Sequence, residues 1–238
     1  MVLHRLIRMG RKWEGGIGIA AALFILSGLY MGLIGSAPDY YQGEVVRIMY
    51  VHVPFAKCSL LAYTTLFIGS VVYLWKKDPV VDNLCHAAAG VGVFFTLVAL
   101  VTGSIWAKPT WNTWWTWDPR LVSFAILLLI LIGYLMLRTV LEDQKKEAAY
   151  GAVLAIVGFV DLPIVYFSVE LWRTLHQPMS ISSRGLSIAP SLLVPLALMS
   201  LGMVLLFTYM LIMRTQMLYL QHLLEAKQGG LLSEVDFS

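Results

Sequence analysis

The sequence predicts an all-α integral membrane protein with six transmembrane helices, both termini cytoplasmic and a tryptophan-rich loop on the outer side. Three observations predict it. Of the 238 residues, 59% are hydrophobic and 13% charged, against roughly 25% charged in a soluble domain. Six apolar runs each approach the roughly 20 residues that cross a hydrocarbon core at about 1.5 Å per residue. Lysine and arginine are shared unequally between alternate connections. The net charge of +3 is too small to point to nucleic acid, and membrane lipids are the surroundings this composition suits.

The predicted spans are about 17–37, 55–75, 84–106, 121–138, 148–168 and 190–214. Arg5, Arg8, Arg11 and Lys12 precede the first, and Gly35-Ser36-Ala37 resembles a cleavage site. The apolar stretch from Ile17 to Ala37 exceeds the roughly 7–15 residues of a signal-peptide core, so an uncleaved first helix is expected. Lys76-Lys77-Asp78-Pro79 separates spans two and three, and Glu142 to Glu147 separates four and five. No repeat, low-complexity run or second domain interrupts residues 1–238, which read as one membrane domain with a loosely ordered tail from Gln228.

Direction follows from the basic residues. One side has Arg5, Arg8, Arg11, Lys12, Lys76, Lys77, Arg138, Lys145, Lys146, Arg214 and Lys227; the other has Arg47, Lys57, Lys108, Arg120, Arg173 and Arg184. The richer side is expected to be cytoplasmic. The outer segments are then 38–54, 107–120 and 169–189. Cys58 and Cys85 fall at opposite ends of the spans, roughly 30 Å apart, too far for a disulfide. There is no CxxC or CxxCH motif, so the chain is not a c-type cytochrome.

His4, His86 and His222 fall on the inner side, His52 and His176 on the outer. If residues 43–53 are helical, Val45, Ile48, Met49 and His52 share an apolar face. Leu171, Trp172, Leu175 and His176 align the same way. Each histidine alone suits an ordinary interfacial position. Two on one side suit a shared ligand, and no third ligand clusters with them as zinc requires. Haem iron brings four nitrogens and needs one or two more ligands.

Between these histidines lies Trp106-Ala107-Lys108-Pro109-Thr110-Trp111-Asn112-Thr113-Trp114-Trp115-Thr116-Trp117-Asp118-Pro119-Arg120, with five of the chain's eight tryptophans. An aromatic belt accounts for Trp13, Trp75 and Trp172 but not for five indoles in twelve residues. Indoles give a large flat apolar ligand a stacking surface. If helical, the segment aligns Trp111, Trp114, Trp115 and Asp118; if extended, Thr113, Trp115 and Trp117. Arg47 and Arg120 can each offer charge-assisted hydrogen bonds to carboxylates such as propionates, with Arg173, Arg184 and Lys108 as weaker candidates.

The run Trp111 to Asp118 resembles the tryptophan-rich "WWD" signature of haem-handling membrane proteins in cytochrome c maturation. From about residue 17 to 214 the chain resembles the haem exporter protein C (CcmC) family, through Tyr50-Val51-His52-Val53-Pro54, Leu100-Val101-Thr102-Gly103-Ser104, the tryptophan segment and Thr174-Leu175-His176-Gln177. The resemblance implies that His52 and His176 are axial ligands of a non-covalent haem b, on a platform of Trp106, Trp111, Trp114, Trp115, Trp117 and Asp118. It implies a haem-delivery protein rather than an enzyme, in the bacterial inner membrane with its haem at the periplasmic face. The implied recipient is a membrane-tethered periplasmic haem chaperone of the CcmE type. The implied complex adds an ATP-binding-cassette pair, CcmA and CcmB, and a small single-span subunit, CcmD. Asn112 stands where the family usually has Gly, and Asp161 where Asn is expected; a neutral or water-accessible Asp161 is the expectation.

Two other readings remain. A cytochrome b-type redox protein needs histidine pairs at two depths, and His86 lacks an evident partner. A haem transporter would be expected to show matching broken helices, and none is evident.

Overall fold

The computed structural model describes residues 2–141, 143–172, 174–176, 181–182, 185–186 and 188–228. Among them are six helices long and apolar enough to cross a membrane: Trp13–Gly35, Glu44–Lys76, Pro79–Trp111, Pro119–Val140, Gln144–Leu171 and Pro190–Glu225. The protein is a multi-pass, all-α membrane protein. Its helices are α1 (Val2–Tyr30), α2 (Met49–Lys76), α3 (Pro79–Trp111), α4 (Pro119–Val140), α5 (Gln144–Gly158), α6 (Asp161–Leu171) and α7 (Pro190–Gln228). A π-helical turn, Met31–Gly35, ends the first span, and a 3₁₀ turn, Glu44–Ile48, leads into α2. One small hairpin, β1 (Ile181–Ser182) with β2 (Gly185–Leu186), precedes α7.

The short polar connections work as caps. The Asp78 carboxylate accepts from the N–H of Val80, with Pro79 at the first helical position where no N–H is needed. Lys77 closes α2 in the left-handed region at φ 53°, donating its N–H to the Tyr73 carbonyl. Asp118 and Asp143 repeat the device at α4 and α5.

Two cores stack along the bundle axis. One joins Tyr50, Phe55, Phe95, Phe124, Met199 and Phe207; the other joins Tyr63, Leu66, Leu127, Leu131, Tyr134 and Ala152. α2 packs along α3, and α1 along α7. Residues 18, 25 and 28 of α1 meet 209, 202 and 199 of α7, an antiparallel pairing that puts residues 2 and 228 at one end, here the termini end. Small residues let these backbones approach. A Cβ on Gly28 would lie 2.7 Å from Cγ of Met199, and one on Gly202 would lie 2.9 Å from the Ile25 nitrogen. Gly202→Val is therefore expected to lose about 1–3 kcal/mol by overpacking. Thermal unfolding in detergent checks this, and an unchanged midpoint would refute the close packing.

Several expectations change. Span two does not wait for Pro54: the helix runs through it from Met49. Proline forgoes one helical hydrogen bond, and its position early in α2 limits the disruption. Span three continues through Pro109 to Trp111, so only Asn112 to Asp118 remains of the expected loop. Leu171, Trp172, Leu175 and His176 share no helical face, because α6 ends at Leu171 and Trp172 is extended at φ −129°. Span five is interrupted at Phe159 and Val160, four residues before Pro163. Asp161 is ten residues from the end of α6, about 15 Å. It is buried, and its Oδ2 has no hydrogen-bond partner.

Cys58 and Cys85 are free and buried, but they do not lie a membrane's thickness apart. Cys85 lies against Ser70 of α2, twelve residues or about 18 Å from Cys58 along the helix. Arg138, counted above as a charge of the cytoplasmic side, is buried in an ion cluster. Arg173, Arg184 and the tail from residue 229 lie outside the described residues.

Candidate functional site

At the end of the bundle opposite the termini, two imidazoles line one cleft. His52 reaches it from the first turn of α2. The start of α2 is seated by Tyr50, which is fully buried with its ring over Gly32 of the π-helical turn; a Cβ there would lie 2.6 Å from Cδ2. The Nδ1 of His52 lies 3.0 Å from the carbonyl of Ala99 and 3.3 Å from Oγ1 of Thr102, both on α3. A carbonyl can only accept, so Nδ1 carries a proton, and in the neutral ring Nε2 keeps the lone pair. Trp106 packs edge-on to the ring at 5.6 Å. Its indole N–H donates to Oε1 of Gln42 at 2.9 Å, tying the turn at 39–43 to α3.

His176 comes from the irregular segment after α6. Its Nδ1 faces Oδ2 of Asp118 at 3.4 Å, in ion-pair range but outside hydrogen-bond geometry. Trp111 stands edge-on to the ring at 4.9 Å. Asp118 is held in turn: Oδ1 accepts from the N–H groups of Arg120 and Leu121 at 3.0 Å, and Oδ2 accepts from the Thr116 hydroxyl at 3.2 Å. Burial, then the Arg120 guanidinium, hold the His176 pKa down at about 4, with Asp118 opposing them. An ordinary imidazole titrates near 6.5; this one is neutral at pH 7 and keeps a lone pair for a metal.

The walls are Ala56 of α2, Ala99, Leu100, Gly103, Ser104 and Trp111 of α3, Trp115, and Arg120, Leu121 and Phe124 of α4. They enclose a cleft of about 50 Å³ that opens to the outside. The composition is apolar and aromatic, with two imidazoles and one cation. Among the described residues no three His, Cys, Asp or Glu side chains converge as for a metal ion. The donor set therefore suits a metal that arrives with ligands of its own.

Of the residues predicted for the site, the structure brings together His52, His176, Trp111, Trp115 and Arg120 in the cleft, with Trp106 and Asp118 behind the imidazoles. Trp114 and Trp117 are 57% and 84% exposed and stand outside it. Arg47 does not line the cleft; it pairs with Glu44 and donates to the Leu33 carbonyl. Lys108 turns to the carbonyl and side-chain oxygens of Asn112. The helical alignment of Trp111, Trp114, Trp115 and Asp118 fails because Asn112 ends α3 in the left-handed region at φ 57°. That conformation also accounts for Asn in place of Gly: asparagine is the residue other than glycine that most readily closes a helix this way.

A family model described as "Heme exporter protein C" matches residues 3–229. The chain belongs to this family. It is 43% identical over 193 residues to "Heme exporter protein C" of Bradyrhizobium diazoefficiens, covering 79% of this chain and 73% of that one. Identity to "Heme exporter protein C" of Haemophilus influenzae is 41% over 191 residues, 80% of this chain and 78% of the other. A ccmC-like mitochondrial protein of Marchantia polymorpha, named for cytochrome c biosynthesis, is 39% identical over 199 residues, 84% and 85% of the two chains.

Sequence reasoning did not single out Ala99, Gly103, Leu121 or Phe124 as cleft residues. For Ala99 and Gly103 a signal existed: they are four apart on α3 and precede Trp106 by seven and three, which places all three on one helical face.

Proposed function

We propose that this member of the heme exporter protein C family binds non-covalent haem b between His52 and His176 and delivers it for cytochrome c maturation. One observation carries the reading: both imidazoles line the same cleft, His52 with Nδ1 on the Ala99 carbonyl and His176 with Nδ1 facing the Asp118 carboxylate at 3.4 Å, which leaves Nε2 of each for coordination. A ligating histidine usually has its other nitrogen engaged in this way. The two imidazoles would hold a haem iron, which needs one or two ligands beyond its own four nitrogens. Trp111 and Trp115 offer the macrocycle an aromatic wall, and Arg120 offers a propionate a charge-assisted partner. The names of the relatives, for heme export and cytochrome c biosynthesis, support the same reading.

The recipient in this reading is a periplasmic haem chaperone of the CcmE type, and the exposed Trp114 and Trp117 form the rim it meets. The excess of lysine and arginine at the termini end supports a cytoplasmic location for that end and a periplasmic one for the cleft, in the bacterial inner membrane. CcmA, CcmB and CcmD complete the export complex. The protein's part is binding and hand-over, without catalysis.

The test is an absorption spectrum of the detergent-purified protein, as isolated and after dithionite, with a pyridine haemochrome assay. The expected result is six-coordinate haem b at close to one per chain. Absence of haem even after reconstitution with hemin would sink the proposal.

A further inference from the structure

We propose that Thr102 and Gly103 are positioning residues for His52, setting its rotamer and tautomer so that Nε2 is directed to the cleft. The inference rests on reading His52 as a haem ligand.

Four residues of α3 act on this one ring. Ala99 gives its carbonyl to Nδ1 at 3.0 Å. The Thr102 hydroxyl donates to the Val98 carbonyl at 2.7 Å, so its oxygen turns a lone pair to the same Nδ1–H at 3.3 Å. Gly103 follows Ala99 by one helical turn. A Cβ there would lie 2.9 Å from Cε1 of His52, 3.3 Å from Nδ1 and 3.8 Å from Nε2. The absent side chain is what leaves the Ala99 carbonyl open to an imidazole from another helix. Trp106 adds an edge-on contact at 5.6 Å. Positions 99, 102, 103 and 106 follow the spacing of one helix face, and that stripe of α3 is given over to a single histidine.

The stripe acts in two ways. Gly103 acts sterically: any β-carbon must push the ring, because the carbonyl beside it belongs to the helix backbone and cannot give way. Thr102 acts electronically. An acceptor on Nδ1–H fixes the tautomer and raises the basicity of the opposite nitrogen. Valine has nearly the shape of threonine but no acceptor oxygen, so Thr102→Val separates this effect from packing.

The full-length protein in detergent supplies a readout without haem. Imidazole ¹⁵N shifts of His52 are expected to report the Nδ1–H tautomer in the wild type and to lose that preference in Gly103→Ala. Haem affinity of Gly103→Ala is expected to fall about 10–100-fold, the usual cost of disturbing a ligand's outer shell. Added free imidazole should restore a six-coordinate spectrum. Thr102→Val is expected to weaken the tautomer preference and raise the reduction potential of bound haem, with Thr102→Ser returning both. Should Gly103→Ala not fold, the Thr102 pair decides alone. Wild-type tautomer and affinity in Gly103→Ala together with wild-type potential in Thr102→Val would overturn the positioning role. If His52→Ala changes the haem spectrum while these variants do not, only this inference falls. If His52→Ala keeps the wild-type spectrum, the ligand assignment falls and takes this inference with it.

Discussion

His52→Ala and His176→Ala are each expected to purify with little or no haem. The loss should be at least the roughly 10–100-fold that follows from removing a ligand's outer-shell partner, because here the donor atom itself goes. Any haem that remains should be five-coordinate and high-spin, and imidazole in the buffer should restore a six-coordinate spectrum by occupying the vacated space. The remaining structure should tolerate the change. His52 and His176 are partly buried at an open cleft, and neither supplies a hydrogen bond on which a helix depends. Haem content, the α-band position and spin state after reduction measure the outcome. Wild-type spectra in both variants would remove these histidines from the ligand set.

The second large effect is expected far from the cleft. At the termini end, the Arg138 guanidinium of α4 forms a two-armed pair with Asp82 of α3, both contacts at 2.7 Å. Its Nε lies 2.9 Å from Oε1 of Glu147 on α5, and it sits over the Tyr134 ring. The Arg138 side chain is 4% exposed, and those of Asp82 and Glu147 are 12% and 14% exposed. Arg138→Met leaves the buried Asp82 carboxylate and the partly buried Glu147 carboxylate without their cation, and removing one partner of a buried ion pair costs about 3–5 kcal/mol. Removing all three charges together, as Asp82→Leu, Arg138→Met and Glu147→Leu, should recover most of the loss, since apolar replacements of whole buried ion clusters are often neutral or better. Thermal unfolding in detergent compares the two. A single variant within about 1 kcal/mol of the wild type would show that water already reaches the cluster and that it carries little of the fold.

The contrast between these two places shows what was legible in the sequence. The spans were, because about 20 apolar residues in a row have few other uses. His52, His176 and the indoles were legible as chemistry concentrated in alternate connections. Arg138, Asp82 and Glu147 were not, because each looks like an ordinary charge near a span end, and only tertiary packing turns them towards one another. Pro54 and Pro109 misled for a related reason: a proline marks a weakened hydrogen bond, but neighbouring helices can hold a helix together across it. Arg47 read as a candidate for an anion because it lies near His52, yet Glu44, three residues earlier, claims it. Asn112 shows the reverse case: the odd residue in a motif became intelligible once its backbone angle was known.

The acceptor that orients His52 is a main-chain oxygen, so no substitution at position 99 can delete it by changing a functional group. What can delete it is a slip of α3 along α2. That register is set by contacts well away from the cleft: Gly92 against Ala62, and Gly69 against Cys85, where a Cβ would meet the sulfur at 2.6 Å. Gly69 lies seventeen residues from His52, roughly 25 Å along the helix. Mutational tolerance along this helix pair should therefore follow sliding rather than proximity. Conservative changes beside the imidazole can pass unnoticed, while an added methyl group several turns below can act as an allele of the binding site.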